Sequence, residues 1–466
     1  MSKKIAVSHQ VEETAAEKIG SEASQRSGSA ASRRNFFKDS GLLLAGGALV
    51  GGQLAIARSA HAFGTESIRV GLVGCGGRGT GAVIQALATT GGDVRLTAMA
   101  DVFESNLQSA FRAIKGKNPK QVDVATENRF VGLDAYQKLF ASDVDVVFLA
   151  TPPGFRPLHF EQAVAAGKHV FMEKPVAVDA PGVRRVLAAG EVATTKGLAV
   201  QVGLQRRHET RYRECVARLH DGIIGEPIFA RAYWNGSGVW TRPRRPNQTE
   251  LEYQINNWYY FNWLSGDHIT EQHVHNLDII NWVMNGFPVE AQGQGGRQVR
   301  TGHATGEIYD HHMIEYTYNS GTRLLSQCRQ MPGCWSKVGE HIQATGGSCD
   351  ISSARIFDQR GGLIWESSAK EVAGKGWQQE QIDFFAAIRN GQTPNETEYA
   401  AHSTLTAIMG RMASYSGKLI TWKQALSSNL SLADVETLHS FDSPAPVQPL
   451  ANGSYDIAMP GKTVAV

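Results

Sequence analysis

The chain has few cysteines and almost no excess of charge of either sign. Its five cysteines lack a CxxC or zinc-ribbon spacing, which excludes a disulfide-rich scaffold. The sequence allows one disulfide, between Cys328 and Cys334. The alternative is that these residues are free thiols that pack as small apolar groups. With 46 Lys and Arg residues against 44 Asp and Glu residues, the net charge of +2 does not favour nucleic acid or an anionic membrane surface. We therefore expect a small-molecule partner.

Long apolar segments are also scarce. Residues 41–57 form an apolar run, but it is rich in Gly and Ala and shorter than the roughly 20 residues of a transmembrane helix. It follows Ser32-Arg33-Arg34-Asn35-Phe36-Phe37-Lys38, which resembles the twin-arginine signal S-R-R-x-F-L-K, and precedes the A-x-A cleavage motif Ala60-His61-Ala62. We predict a twin-arginine signal peptide at residues 1–62 and a periplasmic or exported protein. An uncleaved membrane anchor is the alternative.

The composition otherwise indicates a soluble α/β protein. The 49 glycines, 42% hydrophobic residues and 19% charged residues fit strands and helices joined by many turns. At about 100–200 residues per domain, the length predicts two or three folded units. No stable membrane insertion is expected once the signal is removed.

A glycine turn follows the first predicted strand, residues 68–73. Its sequence, Gly74-Cys75-Gly76-Gly77-Arg78-Gly79, fits G-x-G-x-x-G and leads into a helical stretch. Between a strand and a helix, such glycines let the backbone approach a pyrophosphate at the helix N-terminus. The predicted cofactor contacts in this turn are Gly74, Gly76, Gly77, Arg78 and Gly79.

A carboxylate ends the second predicted strand, residues 95–100. Asp101 would accept hydrogen bonds from the adenosine ribose and repel a 2′-phosphate, so NAD is favoured over NADP. The alternative role for Asp101 is an ordinary N-cap of the next helix.

A longer string of motifs points to a family. A strand at 144–150 leads to Thr151-Pro152-Pro153 and His159, and an alanine-rich helix leads to the string Gly-Lys-His-Val-Phe-Met-Glu-Lys-Pro at 167–175. These motifs resemble the Gfo/Idh/MocA family of sugar and polyol oxidoreductases. The resemblance implies an N-terminal Rossmann dinucleotide-binding domain and a C-terminal α+β domain with an open, mostly antiparallel sheet. It implies NAD(P) contacts from Thr151, Pro152, His159, Glu173 and Lys174, with Lys174 beside the nicotinamide and the reacting carbon.

The second domain contains the other informative string, Gly266 to Asp278. Gln205-Arg206-Arg207-His208 is similar to the family's crossing into this domain, and residues 228–234 and 313–318 alternate as strands do. Glu271 and His275 match the family's acid and histidine spaced four residues apart. On one helix, Glu271, His275, Asp278 and Trp282 would share a face.

The resemblance assigns roles to these side chains. His275 becomes the general base, Glu271 orients the substrate and Lys174 stabilises the alkoxide. Further substrate contacts are predicted for Arg207, Trp258 and Asp278. Glu271 is one methylene longer than the family's more frequent aspartate, and His273 stands where glycine is common, so we expect a pocket of different shape.

Other polar and aromatic residues allow further hypotheses. Histidines and acids at 268–275 and 310–312 suggest a metal, but hydride chemistry and buried hydrogen bonds account for them, so we predict none. The basic loop 242–246 is expected to be solvated, with contact to an acidic sugar as the alternative. One or two of the aromatic residues between 234 and 263 are expected to touch substrate.

The predicted organisation is a signal at 1–62, a Rossmann domain at 63–204, a substrate and oligomerisation domain at 205–440 and an extended tail at 441–466. The predicted activity moves hydride from a secondary hydroxyl of a sugar, polyol or glycoside to tightly held NAD. Two alternatives are an NAD-dependent glycosidase that oxidises transiently and eliminates, and a sugar-binding sensor without turnover. The resemblance also implies a homo-oligomer formed through the open sheet.

Overall fold

Two β-sheets organise residues 66–369 and 376–466, the parts of the chain that the computed structural model describes. The predicted signal peptide at 1–62 lies outside the described residues. Within the described parts, no helix has the length and apolar character needed to cross a bilayer.

The N-terminal part alternates strands with helices. All neighbouring strands of its sheet pair in parallel, and helices cover both faces, so the strands are nearly unbroken apolar runs. The elements are β1 (Ile68–Val73), α1 (Gly77–Leu87), β2 (Val94–Asp101), α2 (Glu104–Lys117), β3 (Arg129–Val131), α3 (Ala135–Ala141), β4 (Val146–Leu149), α4 (Arg156–Ala165), β5 (His169–Met172), α5 (Ala180–Thr195) and β6 (Val200–Val202).

The order of this six-stranded sheet is β3-β2-β1-β4-β5-β6. From β1 the chain adds β2 and β3 on one side of the sheet, and it then adds β4, β5 and β6 on the other side, so the strand order reverses between β1 and β4. In open parallel sheets, ligands bind beyond the carboxyl ends of the strands at such a reversal. The glycine turn after β1 lies at this point.

The second part is built on a nine-stranded sheet. Its elements up to the gap in the description are α6 (Thr210–His220), β7 (Pro227–Gly236), α7 (Glu250–Asn256), α8 (Asn262–Ser265), α9 (His268–Glu271), α10 (Val274–Val283), β8 (Glu290–Gly296), β9 (His311–Thr317), β10 (Arg323–Gln330), β11 (Lys337–Ala344), β12 (Gly347–Asp350), β13 (Arg355–Asp358) and β14 (Leu363–Glu366). After the gap follow α11 (Gly376–Arg389), α12 (Thr397–Ser416), β15 (Ile420–Thr421) and α13 (Trp422–Ser427).

The strand order of this sheet is β14-β13-β12-β11-β7-β10-β9-β8-β15. Strands β7 and β10 pair in parallel, and the other neighbours pair antiparallel. Helices α10 and α12 cover one face of the sheet. The predicted fold class, a Rossmann domain followed by a mostly antiparallel sheet, is confirmed.

The helices near the C-terminus connect the two parts. Phe384 and Phe385 of α11 join the apolar core beneath the first sheet, together with Phe148 of β4 and Phe171 of β5. In α12, Arg411 is 5% exposed and donates hydrogen bonds to the carbonyl of Val178, at 2.7 Å, and to that of Gly266. These bonds hold the segment before α9 against the segment after β5.

Two expectations about local structure need correction. The single helix predicted to carry Glu271 to Trp282 is broken, since α9 ends at Glu271 and α10 begins at Val274. The buried His273 in the break lies 2.7 Å from the Ser326 hydroxyl of β10, a contact between distant parts of the chain. The disulfide between Cys328 and Cys334, which the sequence left undecided, is absent. Cys328 is buried, Cys334 is exposed, and all five cysteines are free.

Candidate active site

The glycine turn fits a dinucleotide diphosphate. Gly74 has a φ of +95°, and a Cβ there would lie 2.6 Å from the backbone nitrogen of Thr151. A Cβ on Gly79 would lie 2.1 Å from the carbonyl oxygen of Gly74. Around Gly76 and Gly77, by contrast, a Cβ would meet open space, and no side chain caps the start of α1. Free amides beside open space at the positive end of a helix suit phosphate oxygens.

Asp101 is held rigidly at the end of β2. Its carboxylate accepts hydrogen bonds from the backbone N–H groups of Cys75 and Phe103 at 2.7 and 2.8 Å. Burial raises the pKa of Asp101, and these hydrogen bonds oppose the rise. Asp101 is not the N-cap of α2, since that position belongs to Phe103. The ribose contact of Asp101 stays a prediction.

A cavity of about 630 Å³ lies at the carboxyl ends of β1, β2 and β4, a size typical of ligand pockets. It is lined by most of the predicted cofactor residues, namely Gly74, Gly76, Gly77, Arg78, Asp101, Thr151, Pro152 and His159. Trp258, predicted to touch substrate, lines this same cavity and so lies with the cofactor residues. Trp240, one of the aromatic residues expected near substrate, and Arg242 of the basic loop also line it, together with Ile255, which the sequence reasoning missed. The basic loop was expected to be solvated, and Arg242 is exposed while also lining the cavity.

The end of β4 is held by polar side chains. Thr151 Oγ1 lies 3.2 Å from Nδ1 of His159, whose ring packs between two aromatic rings. Burial, with the nearby charge of Arg156, lowers the pKa of His159 to about 3, so this imidazole is neutral. Arg156 is 1% exposed and donates hydrogen bonds to the carbonyls of Leu149 and Thr151. The sequence reasoning did not identify Arg156.

Arg78 connects the cavity to β5. Its Nε donates to Glu173 Oε1 at 2.6 Å, and its guanidinium lies 3.6 Å from Glu380 of α11. Glu380 is fully buried, and burial raises its pKa well above the ordinary value, which favours the protonated acid. The sequence reasoning did not identify Glu380. The sequence could have revealed it, because Glu380 is a carboxylate on the apolar face of an amphipathic helix.

Lys174 of the Rossmann domain and Glu271 of the second part form an ion pair. Lys174 Nζ donates to Glu271 Oε1 at 2.8 Å and to the Glu271 carbonyl. Both side chains are 13% exposed, so they are largely shielded from water. Lys174 follows β5 and is joined to Pro175 by a cis peptide bond, while Glu271 is the last residue of α9. Tertiary structure thus joins two of the three predicted catalytic residues.

His275 lies at the start of α10. Its ring is 8% exposed and stacks on Trp234 at a centroid distance of 6.0 Å. Its Nδ1 is buried and has no hydrogen-bond partner within the described chain. Burial, together with the positive charges of Lys174, Arg206 and Arg78, holds the pKa of His275 well below its ordinary value. The imidazole is therefore neutral and able to accept a proton.

Arg207 and Asp278, both predicted to bind substrate, bind each other. The guanidinium makes hydrogen bonds of 2.8 to 3.1 Å to both carboxylate oxygens. Asp278 also accepts a bond from Ser403 Oγ and is 1% exposed, and Arg207 stacks on Tyr399 at 3.8 Å. Protein donors therefore surround the Asp278 carboxylate, and its predicted substrate contact stays a prediction. The pair joins residues 205–208, which connect the two domains, to α10 and α12.

The histidine-rich region contains a buried polar network. Asp267, His268 and His312 are at most 2% exposed, and one ligand atom of each lies within 4.8 Å of the others. The Asp267 carboxylate accepts bonds from His268 Nδ1 at 2.7 Å, the Tyr415 hydroxyl at 2.6 Å and the Tyr309 N–H at 3.0 Å. These donors use the carboxylate oxygens, so the cluster is accounted for as a hydrogen-bond network.

Residues 68–204 match the profile of the Gfo/Idh/MocA family, described as an oxidoreductase family with an NAD-binding Rossmann fold. This part of the chain is an NAD-binding Rossmann domain. The sequence-based predictions of a Rossmann domain and of NAD as its cofactor are confirmed. The residues that would hold NAD are those of the glycine turn and the cavity beside it.

Known relatives extend the similarity beyond the Rossmann domain. The inositol 2-dehydrogenase of Pseudomonas savastanoi pv. phaseolicola is 28% identical over 261 residues, which cover 55% of this chain and 66% of the relative. The match therefore spans just under two thirds of that relative's length.

Solved structures share the two-sheet fold. Myo-inositol dehydrogenase from Lactobacillus casei, in complex with NAD(H) and myo-inositol, has a TM-score of 0.57 at 17% identity, covering 76% of this chain and 96% of that chain. Aldose-aldose oxidoreductase from Caulobacter crescentus, complexed with glycerol, has a TM-score of 0.59 at 16% identity, covering 76% of this chain and 100% of that chain. At these identities the likeness concerns the fold alone.

Proposed function

We propose that the protein is an NAD-dependent oxidoreductase that oxidises a secondary hydroxyl of a sugar, polyol or glycoside. The observation that carries this proposal is the contact between Lys174 and Glu271, with the neutral His275 nearby, beside an NAD-binding domain. The inositol 2-dehydrogenase relative and the folds with bound polyols support the substrate class.

The three side chains divide the work between them. NAD supplies a nicotinamide ring that takes up hydride. His275 accepts the hydroxyl proton, since its imidazole is neutral. Lys174 has three N–H donors, of which Glu271 takes two, and the third is free to stabilise the oxygen as its negative charge develops. The Glu271 carboxylate keeps Lys174 in place and orients the substrate hydroxyl.

The proton transfer has an energetic compromise. The low pKa of His275 keeps the base neutral, but it also makes the imidazole a weaker proton acceptor. Stabilisation of the alkoxide by Lys174 offsets this, because it makes the hydroxyl easier to deprotonate. Both residues are therefore needed for hydride to leave the same carbon.

Replacing His275 by Ala tests the assignment. We expect kcat to fall by about 10²–10⁴-fold, the usual contribution of a general base, with NAD affinity unchanged. His439, which is exposed, provides a matched control, and His439→Ala is expected to behave as the wild type. Unchanged turnover in His275→Ala would exclude it as the base.

We also propose that the protein is exported in folded form with NAD retained. The twin-arginine motif at 32–38 carries this proposal. Replacing Arg33 and Arg34 by lysine is expected to leave the protein in the cytoplasm, and mass analysis of the exported protein would locate the cleavage near Ala62. A twin-lysine variant that is exported normally would contradict the proposal.

A retained cofactor must be reset within each catalytic cycle. Acid denaturation of the exported protein, followed by mass analysis, is expected to release stoichiometric NAD. When a sugar panel is added, NAD that stays reduced until a second substrate arrives supports the oxidoreductase. NAD that returns to its oxidised form as an aglycone appears supports the glycosidase instead, and binding of a sugar without any reduction supports the sensor.

The proposed assembly is a homo-oligomer formed through the second sheet. Helices α10 and α12 cover one face, while Phe229, Tyr233 and Met313 lie on the other with partly exposed side chains. Sedimentation velocity is expected to give a species larger than the 50.6 kDa chain. Met313 is 49% exposed on this face, and Met313→Glu is expected to weaken the oligomer because it places a charge in the contact. A single monomeric species would exclude this assembly.

A further inference from the structure

We propose that Trp240 and Arg242 form a cover over the dinucleotide cavity and set how slowly NAD leaves it. The inference deepens the proposed function, since it rests on NAD occupying this cavity. It assigns a cofactor-binding role to Arg242 of the basic loop, which the sequence indicated to be solvated or in contact with an acidic sugar.

The cover comes from a different part of the chain than the rest of the cavity. Most lining residues belong to the segment 73–159 of the Rossmann domain. Trp240, Arg242, Ile255 and Trp258 come from the excursion between β7 and the start of α8. A ligand in the cavity would therefore be contacted from both domains.

The backbone on both sides of Trp240 is anchored. The N–H of Arg242 donates to Oδ1 of Asn257 at 2.8 Å, and Asn257 is fully buried with its Nδ2 bonded to the carbonyl of Ala304 at 2.7 Å. The hydroxyl of Tyr260 donates to the carbonyl of Val239 at 3.2 Å. The backbone that carries the indole and the guanidinium is thus held in place, which lowers the entropic cost of binding.

The two side chains are chemically suited to a nucleotide. The Arg242 guanidinium lies 4.4 Å from the centre of the Trp240 ring, and that ring packs edge-on against Trp258 at 6.0 Å. The Trp240 side chain remains 41% exposed beside the cavity, so a bound ring could cover apolar surface that now faces water. Indole faces stack on bases, and arginine binds phosphate oxygens or stacks on aromatic rings.

The charge of Arg242 acts on the end of the cavity where Asp101 lies. Burial and the neighbouring Arg245 lower the pKa of Arg242, and the Asp101 carboxylate opposes this effect. Arg242 therefore lies within electrostatic reach of the residue predicted to bind the ribose. Arg244 and Arg245 instead pair with Glu250 and Glu252 and do not line the cavity.

The test is the rate at which NADH leaves the full-length protein. The NADH-loaded protein is mixed with excess NAD, and the loss of nicotinamide fluorescence is followed by stopped flow. We expect Trp240→Ala and Arg242→Ala each to release NADH at least about tenfold faster, the result of losing one good contact. Arg245→Ala removes the same charge from the same loop and is expected to release NADH at the wild-type rate.

The outcomes separate the cover from the proposed function. Wild-type release rates in either Trp240→Ala or Arg242→Ala, or an equal acceleration in Arg245→Ala, would overturn the cover while leaving the NAD site intact. A wild-type protein that binds no NADH would overturn the proposed function and the cover with it. Thermal melting of the variants without NADH checks that faster release does not reflect unfolding.

Discussion

Replacing Gly76 and Gly79 by alanine should separate the ligand-facing side of the glycine turn from the side that packs against protein. A Cβ on Gly79 would lie 2.1 Å from the carbonyl oxygen of Gly74 and 3.1 Å from a methyl carbon of Leu72. The turn or α1 must shift by about 1 Å to restore ordinary contact, and overpacking of this kind costs about 1–3 kcal/mol. Gly79→Ala is therefore expected to lower the melting temperature.

Gly76 gives the opposite expectation. Its φ of −74° is accessible to alanine, and a Cβ there would meet nothing within 4 Å, so stability should not change. The added methyl group would instead occupy space beside the free amides of α1. We expect the Kd for NAD to rise about tenfold or more, equivalent to about 1.4 kcal/mol.

The assays are thermal melting without cofactor and calorimetric titration with NAD. The expected pattern is a lower melting temperature in Gly79→Ala, and an unchanged melting temperature with weakened binding in Gly76→Ala. If Gly76→Ala bound NAD as tightly as the wild type, the assignment of this open space to the diphosphate would be refuted. A fully stable Gly79→Ala would refute the packing argument.

Three further outcomes are expected. Asp278→Asn leaves Arg207 largely buried without its countercharge, so the free energy of unfolding should fall by about 3–5 kcal/mol. A raised KM with unchanged stability would instead support the predicted substrate contact of Asp278. Burial alone would lower the pKa of His208, but the hydrogen bonds that its imidazole donates to the Asp383 and Glu396 carboxylates raise the pKa to about 9. The stabilisation is therefore complete below about pH 6.5 and is lost as pH rises through 9. Melting temperatures across that range should decline in the wild type and less in His208→Gln. Lys174→Met should lower kcat at least about a hundredfold while NAD still binds, and retained turnover would exclude the alkoxide role.

The local motifs of the Rossmann domain were predictable from the sequence. A strand, a glycine turn and a helix follow one another within twenty residues, Asp101 ends its strand, and the Glu173-Lys174 pair lies directly after its strand. Because carboxyl ends of parallel strands meet at one edge of the sheet, their order along the chain already predicts a common site. These positions depend on short-range geometry, which a sequence pattern records.

The histidine segment shows where such reasoning fails. The spacing of Glu271 and His275 predicts one continuous helix, yet the chain breaks between them. The break places buried His273 against Ser326, and α12 holds the preceding turn through Arg411. Periodicity cannot report these partners, because they come from strands and helices far away in the chain.

The sequence by itself determined the Rossmann fold and NAD as its cofactor, and it predicted catalytic roles for Lys174, Glu271 and His275, since each is part of a contiguous motif with a local geometric meaning. Only the tertiary structure decided that Lys174 contacts Glu271, that Asp278 is taken by Arg207, and that Glu380 and the Trp240–Arg242 pair reach the cofactor region. Those outcomes depend on which distant side chains the fold brings together. In the low-dielectric interior, a buried carboxyl group such as Asp278 or Glu380 must find a partner or give up its charge.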